Sequence, residues 1–356
     1  MGNKGMLSAR IHQYQQPLVV ENVPKPSNVQ GEAVLVRVGA AGLCHSDLHL
    51  IDGDWKDAIP LELPKIPGHE NAGWVEDVGD RVPEGLFSKG ELVAVFGGWG
   101  CGICTFCKQG DEQLCVAPQW PGLSQHDGGF SEYMVVPSYR FLVKISGKSG
   151  LTPEELAPLT DAGLTPYRAV KKVSHMLRPG TSIAVFGMGG LGTYGIQYAR
   201  LLAPHSTVIA VDRKDERLNL AKNFGADQTV NLATTRNIRD EVLELTEGRG
   251  VDVVVDTVGA ENTIASAVRT LARGGALVIV GLFGPQIKVP LLPAVVNEYQ
   301  LITSLWGNYN ELKEVIELAS QHKIKHVYQK FPLKEVNQAI DHLRKGQISG
   351  RAVIVP

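Results

Sequence analysis

The chain has 356 residues, 44% of them apolar and 20% charged, with a formal net charge of −2. That length exceeds what one hydrophobic core ordinarily serves and predicts two domains. The near-neutral balance, with no long run of like charge, speaks against a nucleic-acid partner or an anionic membrane surface. No stretch reaches the ~18 apolar residues of a spanning helix, and the opening MGNKGMLSARIHQY holds no apolar signal segment, so the expectation is a cytoplasmic protein.

Residues 1–150 read as short strands cut by turns, AVLVRV (33–38) and EYMVVP (132–137) being apolar or alternating between Gly, Pro and Asp punctuation. Within them GLCHSDLH (42–49) and PGHENAG (67–73) supply Cys44 and His69, a thiolate and an imidazole of the types zinc accepts. The stretch CGICTFCKQGDEQLC then sets Cys101, Cys104, Cys107 and Cys115 at C-x2-C-x2-C-x7-C spacing. Without a secretory signal the compartment is expected to be reducing, which disfavours disulfides. Four thiolates suit tetrahedral zinc and leave no open position for substrate. An iron–sulfur cluster is the rival, although its fourth cysteine is typically followed by proline and Cys115 is followed by Val116. On the zinc reading this lobe, 97–118, is structural, and the chemistry lies elsewhere.

After about residue 164 the rhythm changes. SIAVFG, TVIAVD, VDVVVD and ALVIVG are β-branched runs alternating with helix-length segments, the pattern of a doubly wound parallel sheet. SIAVFGMGGLG runs from a strand into a helix, with Gly187, Gly189 and Gly192 in the GxGxxG positions that turn the chain, admit a pyrophosphate and pack the helix. Asp212 follows twenty residues beyond Gly192, where an acidic side chain takes the ribose hydroxyls of a dinucleotide. Its charge repels a 2′-phosphate and favours NAD over NADP, partly offset by Arg213 and Lys214. Near residue 306 the pattern breaks, and the last fifty residues predict two helices and the closing strand RAVIVP. The predicted division is 1–163, 164–306 and a return to the first domain over 307–356.

Together these motifs resemble a zinc-dependent alcohol dehydrogenase of the medium-chain dehydrogenase/reductase superfamily, over essentially the whole chain. The resemblance implies an α/β protein: a GroES-like, mostly β catalytic domain interrupted by a Rossmann domain, with the active site between them. It implies that Cys44 and His69 bind a catalytic zinc and that Glu70 is the acidic neighbour able to enter or leave its shell. Ser46 and His49 would relay the proton, His45 and Thr165 would lie near the cofactor, and Arg351 would meet its phosphates. Gly190, Leu191, Arg217, Val258, Val280 and Leu282 complete the cofactor-binding candidates. Many members place a cysteine as third ligand where this sequence reads APLTDAGLTPYRAV. Asp161 at that place resembles a microbial subgroup active on secondary alcohols. Trp55, Trp99 and Trp120 fall in regions that border the substrate channel of related enzymes and favour a hydrophobic alcohol, aldehyde or ketone. The implied cofactors are two zinc ions per chain and NAD, and the implied assembly is a homo-oligomer, a tetramer ahead of a dimer. A polyol or sugar dehydrogenase of the same superfamily and a noncatalytic dinucleotide-binding protein are the alternatives.

Overall fold

The apolar runs of the first 150 residues fold as antiparallel strands, in a computed structural model that describes residues 5–27 and 29–356. β1 (Gly5–Arg10) and β2 (Val19–Pro24) make a hairpin. β3 (Val34–Leu43) is buried at all but one residue and leads into α1 (His45–Asp52). β4 (Glu70–Val78) and β5 (Leu92–Val95) follow, then the short α2 (Thr105–Lys108) of the cysteine lobe, β6 (Tyr133–Val136) and β7 (Leu142–Lys144). α3 (Pro153–Pro158) opens with Pro at its first position, which lacks the N–H a helix start leaves unused, and runs into a π-helical turn over Leu159–Gly163.

The alternating middle of the chain forms a unit of its own, Gly163–Trp306. It comprises α4 (Leu164–Val173), β8 (Ser182–Phe186), α5 (Gly190–Leu202), β9 (Thr207–Asp212), α6 (Asp215–Asn223) and β10 (Gln228–Asn231). α7 (Ile238–Leu245), β11 (Val251–Asp256), α8 (Glu261–Thr270), β12 (Leu271–Ile279), α9 (Leu291–Val296) and β13 (Gln300–Thr303) complete it. All strand pairs are parallel, in the order β10-β9-β8-β11-β12-β13. Ile209, Val211, Val254 and Leu277 pack against Ile264 and Val268 of α8, so the β-branched runs are sealed from water by helices, as a parallel sheet requires. Strand order reverses between β8 and β11, and a crevice opens at such a reversal, outside the carboxyl ends of the strands.

The other unit, Met1–Ala162 with Gly307–Pro356, is closed by the returning chain. α10 (Tyr309–Ser320) and α11 (Val336–Arg344) are the two expected helices, and β15 (Arg351–Val355) is the expected closing strand. β14 (Tyr328–Pro332) carried no strand signal: YQKFP is largely polar and ends in proline, which a sheet edge tolerates. The seven strands run β14-β15-β3-β4-β5-β7, with β6 on β3. β3 pairs with β6 along its first half and with β15 along its last residues. No helix among the described residues is long and apolar enough to cross a membrane.

Candidate functional site

Three strand ends meet in the first unit. β3 ends one residue before Cys44, β4 begins at Glu70 just after His69, and β15 begins at Arg351. The register sets Gly42 opposite Glu70 and Leu43 opposite Ala352. Gly42 has to lack a side chain, because a Cβ there would stand 1.8 Å from Glu70 Oε2. The π-helical turn adds Asp161, and such turns often re-aim a side chain at a functional site. One ligand atom each from Cys44, His69, Glu70 and Asp161 lie within 4.8 Å of one another. Asp161 Oδ2 is 3.3 Å from His69 Nε2 and 3.9 Å from Cys44 Sγ.

A further carboxylate, not foreseen from the sequence, holds this group in place. Asp47, fully buried in the first turn of α1, accepts the Cys44 N–H at 2.8 Å and the Gly68 N–H at 3.3 Å. Its Oδ1 lies 3.3 Å from His69 Nδ1, which aims the opposite nitrogen, Nε2, into the cluster. Arg351 grips both oxygens of Glu70, through Nε at 3.0 Å and through Nη2. The resemblance assigned Arg351 to cofactor phosphates; here it is buried and committed to Glu70.

The electrostatics of the cluster favour a cation. Burial pushes the Glu70 carboxyl up to about 8 against the pull of Arg351. Burial would also raise the Cys44 thiol, but Arg351 and His69 reverse that and hold it below its ordinary value. Burial would lower His69, and Asp47 and Asp161 more than reverse it. Four acidic groups, Cys44, Asp47, Glu70 and Asp161, thus share a buried space with one permanent cation, Arg351. A divalent ion bound by thiolate, imidazole and carboxylate supplies the missing positive charge, and the donor set is one zinc accepts.

The cysteine lobe passes a separate test. None of its thiols is in a disulfide. Cys104 Sγ stands 3.5 Å from Cys107 Sγ and 3.9 Å from Cys115 Sγ, and all four sulfurs lie within 4.8 Å of one another. Zn–S bonds of about 2.3 Å in a tetrahedron put sulfurs about 3.8 Å apart, so the spacing fits that metal. The N–H groups of Cys101 and Ala117 point at the Cys115 sulfur, those of Ile103 and Cys104 hold the Cys101 thiol below its ordinary value, and burial pushes the Cys107 thiol up to about 12.

Ser46 Oγ lies 3.6 Å from Cys44 Sγ, against the cluster. His49 is further along α1, with Nδ1 2.7 Å from Asp54 Oδ2 and its ring stacked on Trp55. His45 is exposed at the start of the same helix. Trp55 and Trp120 are half-buried. Trp99, which the resemblance sets beside the substrate channel, is only 2% exposed, stacks on Phe141 and gives its N–H to the Phe96 carbonyl.

In the second unit, the loop between β8 and α5 carries the glycine pattern. Gly187 has φ +86°, and a Cβ there would lie 2.4 Å from Val258 Cγ2; a Cβ on Gly192 would fall 1.7 Å from the Gly187 carbonyl oxygen. Gly189 faces open space, and α5 begins after it with no side-chain cap on its N–H groups, which suits a phosphate. Asp212, at the end of β9, accepts N–H bonds from Met188 (2.6 Å), Arg213 (2.7 Å) and Lys214 (3.0 Å), with Arg217 Nη1 at 3.9 Å. Gly190 and Leu191 begin α5, while Val258, Val280 and Leu282 follow β11 and β12 at the same edge of the sheet. Thr165 is buried in α4.

A mostly β unit presenting a buried thiol–imidazole–carboxylate cluster, with a dinucleotide-type sheet in the same chain, defines a metal-dependent dehydrogenase. Residues 30–147 match the alcohol dehydrogenase GroES-like domain family and residues 190–321 the zinc-binding dehydrogenase family. An NAD-dependent alcohol dehydrogenase of Sulfurisphaera tokodaii is 39% identical over 99% of this chain and all of its own length. A D-arabinose 1-dehydrogenase (NADP(+)) of Saccharolobus solfataricus is 35% identical over 98% of this chain and 97% of its own. The crystal structure of the alcohol dehydrogenase of Aeropyrum pernix matches with a TM-score of 0.92 at 39% identity, covering 98% of this chain and all of that one. The chain belongs to the zinc-type alcohol dehydrogenase family of medium-chain dehydrogenases/reductases.

Proposed function

We infer that this chain interconverts a primary or secondary, hydrophobic alcohol with its aldehyde or ketone, using NAD and zinc. The observation that carries the reading is the buried Cys44–His69–Asp161 cluster with Ser46 against it. Zinc supplies a Lewis acid that brings the pKa of an alcohol hydroxyl toward neutrality, and NAD supplies the hydride acceptor. Cys44, His69 and Asp161 hold the metal, and two negative charges among them offset its own. Ser46 takes the hydroxyl proton, and His49 passes it to solvent, an imidazole being the side chain suited to exchanging protons at neutral pH. Asp212 holds the adenosine ribose, and the Gly187–Gly192 loop holds the pyrophosphate. Glu70, kept by Arg351, is a fourth donor in reserve. The thiol lobe is proposed to take a second, structural zinc, and the reduced cysteines that this needs support the expectation of a reducing compartment, the cytoplasm.

The chain is proposed to act as a homo-oligomer, a tetramer ahead of a dimer. Leu282, Phe283, Leu291, Leu292, Val295, Val296 and Leu301 are exposed in a stretch whose only charges are Lys288 and Glu298. β13, which starts at the end of this stretch, is an edge strand that pairs with β12 alone among the described residues. So large an exposed apolar surface is what a second copy would cover. Light scattering on the purified protein decides this point.

The D-arabinose-oxidising relative keeps sugar oxidation as a second reading; the half-buried Trp55 and Trp120 favour the apolar alcohol. Initial rates over primary, secondary and cyclic alcohols and D-arabinose, each with NAD and with NADP, separate the two. Secondary or long-chain alcohols with NAD should be the fastest, and an aldose outpacing every alcohol would overturn the assignment.

A further inference from the structure

The proposed proton path ends at His49, and a neighbouring side chain outside that path decides which ring nitrogen holds the hydrogen. α1 stops at Gly53, whose φ of +76° is left-handed and whose Cβ, if present, would stand 3.1 Å from the Tyr14 ring. The Gly53 N–H returns to the Leu50 carbonyl at 3.1 Å and the Asp54 N–H to the His49 carbonyl at 2.9 Å. This pair of bonds is the Schellman ending, which folds the residue after the glycine back over the last full turn of the helix. The side-chain contact across such an ending is commonly apolar. Here it joins Asp54 Oδ2 to His49 Nδ1 at 2.7 Å. Trp55, the next residue, lays its ring on the imidazole with centroids 4.8 Å apart and planes at 22°. The ring is therefore fixed at an edge and across a face.

A carboxylate only accepts hydrogen bonds, so His49 Nδ1 carries the hydrogen and Nε2 keeps a lone pair. No hydrogen bond to Nε2 forms among the described residues. We propose that Asp54 is a positioning residue for the dehydrogenase reaction: by accepting the Nδ1 hydrogen it fixes the His49 tautomer whose Nε2 receives the proton leaving the active site. The inference rests on the relay reading of His49. The proton moves from the alcohol oxygen by way of Ser46 to Nε2; the imidazolium so formed is stabilised by Asp54 and returns to neutrality by losing the same proton to water. Asp54 is 55% exposed at its side chain, and a contact that open to water adds little to stability, so its contribution lies in orientation.

A double-mutant cycle on the zinc-loaded enzyme tests this, with kcat/KM for alcohol oxidation as readout in Asp54→Asn, His49→Gln and the combined variant. Asp54→Asn should lose on the order of tenfold, the low end of general acid–base effects, with zinc content and NADH affinity unchanged. The combined variant should be no worse than His49→Gln alone, since both changes disable one device. Asp54→Glu should recover part of the loss. Losses that multiply, or an Asp54→Asn enzyme as fast as wild type, overturn the proposal. If His49→Gln is harmless, the relay reading falls and the proposal with it; if His49→Gln is impaired while Asp54→Asn is not, only the proposal falls. Should Asp54→Asn fold poorly, ¹⁵N spectra of histidine-labelled wild type decide: a hydrogen on His49 Nδ1 supports the assignment, and one on Nε2 overturns it.

Discussion

Replacing Asp161 with alanine leaves Cys44 and His69 in the cluster, and the nearest spare donor is Glu70. That carboxylate is not at liberty, because Arg351 holds both its oxygens in a pair with 0% and 4% side-chain exposure. For Glu70 to take the vacated place, a buried guanidinium must lose its partner, which costs about 3–5 kcal/mol. At 1.4 kcal/mol per factor of ten, zinc should bind the cluster about 10²–10⁴-fold more weakly. The assay is metal content by mass spectrometry after dialysis against a zinc buffer, alongside turnover. Asp161→Ala should keep the lobe metal, lose the cluster metal and lose nearly all activity. Asp161→Cys restores one negative charge and should keep the metal but turn over more slowly, since a Zn–S bond of about 2.3 Å replaces one of about 2.0–2.2 Å. Adding Arg351→Met to Asp161→Ala releases Glu70, so part of the cluster metal should return. An Asp161→Ala enzyme with both metals and most of its turnover would refute the reasoning.

Three further expectations follow from the same geometry. Cys104→Ser breaks a site whose sulfurs are already spaced for one ion, so the melting temperature and the lobe metal should fall together while kcat of the surviving enzyme stays near wild type. Asp212→Ser should raise the NADP/NAD ratio of kcat/KM, but it also removes the acceptor of the Met188, Arg213 and Lys214 N–H groups. KM for NAD should therefore rise as well, and a wild type preferring NADP tenfold would contradict the role given to Asp212. Gly187→Ala puts a Cβ at φ +86° and 2.4 Å from Val258; the left-handed backbone alone costs about 1–2 kcal/mol. NADH binding followed by fluorescence should weaken more than tenfold with zinc content intact.

Much of this was legible in the sequence because its chemistry is written in short, local patterns. The cysteine spacing, the glycine loop and the β-branched runs each act within one turn or strand. The three aspartates of HSDLHLIDGDW show the limit of such reading. Asp47, Asp52 and Asp54 look alike on paper, yet Asp47 is buried beneath His69, Asp52 pairs at 2.6 Å with Arg344, and Asp54 turns back onto His49. A helix period of 3.6 residues and a left-handed glycine separate their fates, and for Asp52 alone the partner lies 292 residues away. Arg351 was placed correctly on the closing strand, but its pairing with Glu70 depends on the β3–β4–β15 register. Trp99 shows a different limit, since the resemblance sets it beside the substrate channel while the structure shows its ring packed on Phe141 and bonded to Phe96. β14 escaped notice because an edge strand need not be apolar.

The order in which the two candidate metal sites can form as the chain leaves the ribosome follows from where β15 pairs. The lobe thiols lie between Cys101 and Cys115 and can meet a metal as soon as that short segment has emerged. The cluster cannot be completed then, because the end of β3 that leads to Cys44 is held by β15, and Glu70 gains its partner only when Arg351 arrives. Contacts of such long sequence separation form late and slowly. One proposed metal position is thus available to a nascent chain and the other only to a nearly finished one. A truncated product would carry the four thiols of the lobe on a chain whose Cys44–His69–Asp161 cluster lacks its Arg351 strand.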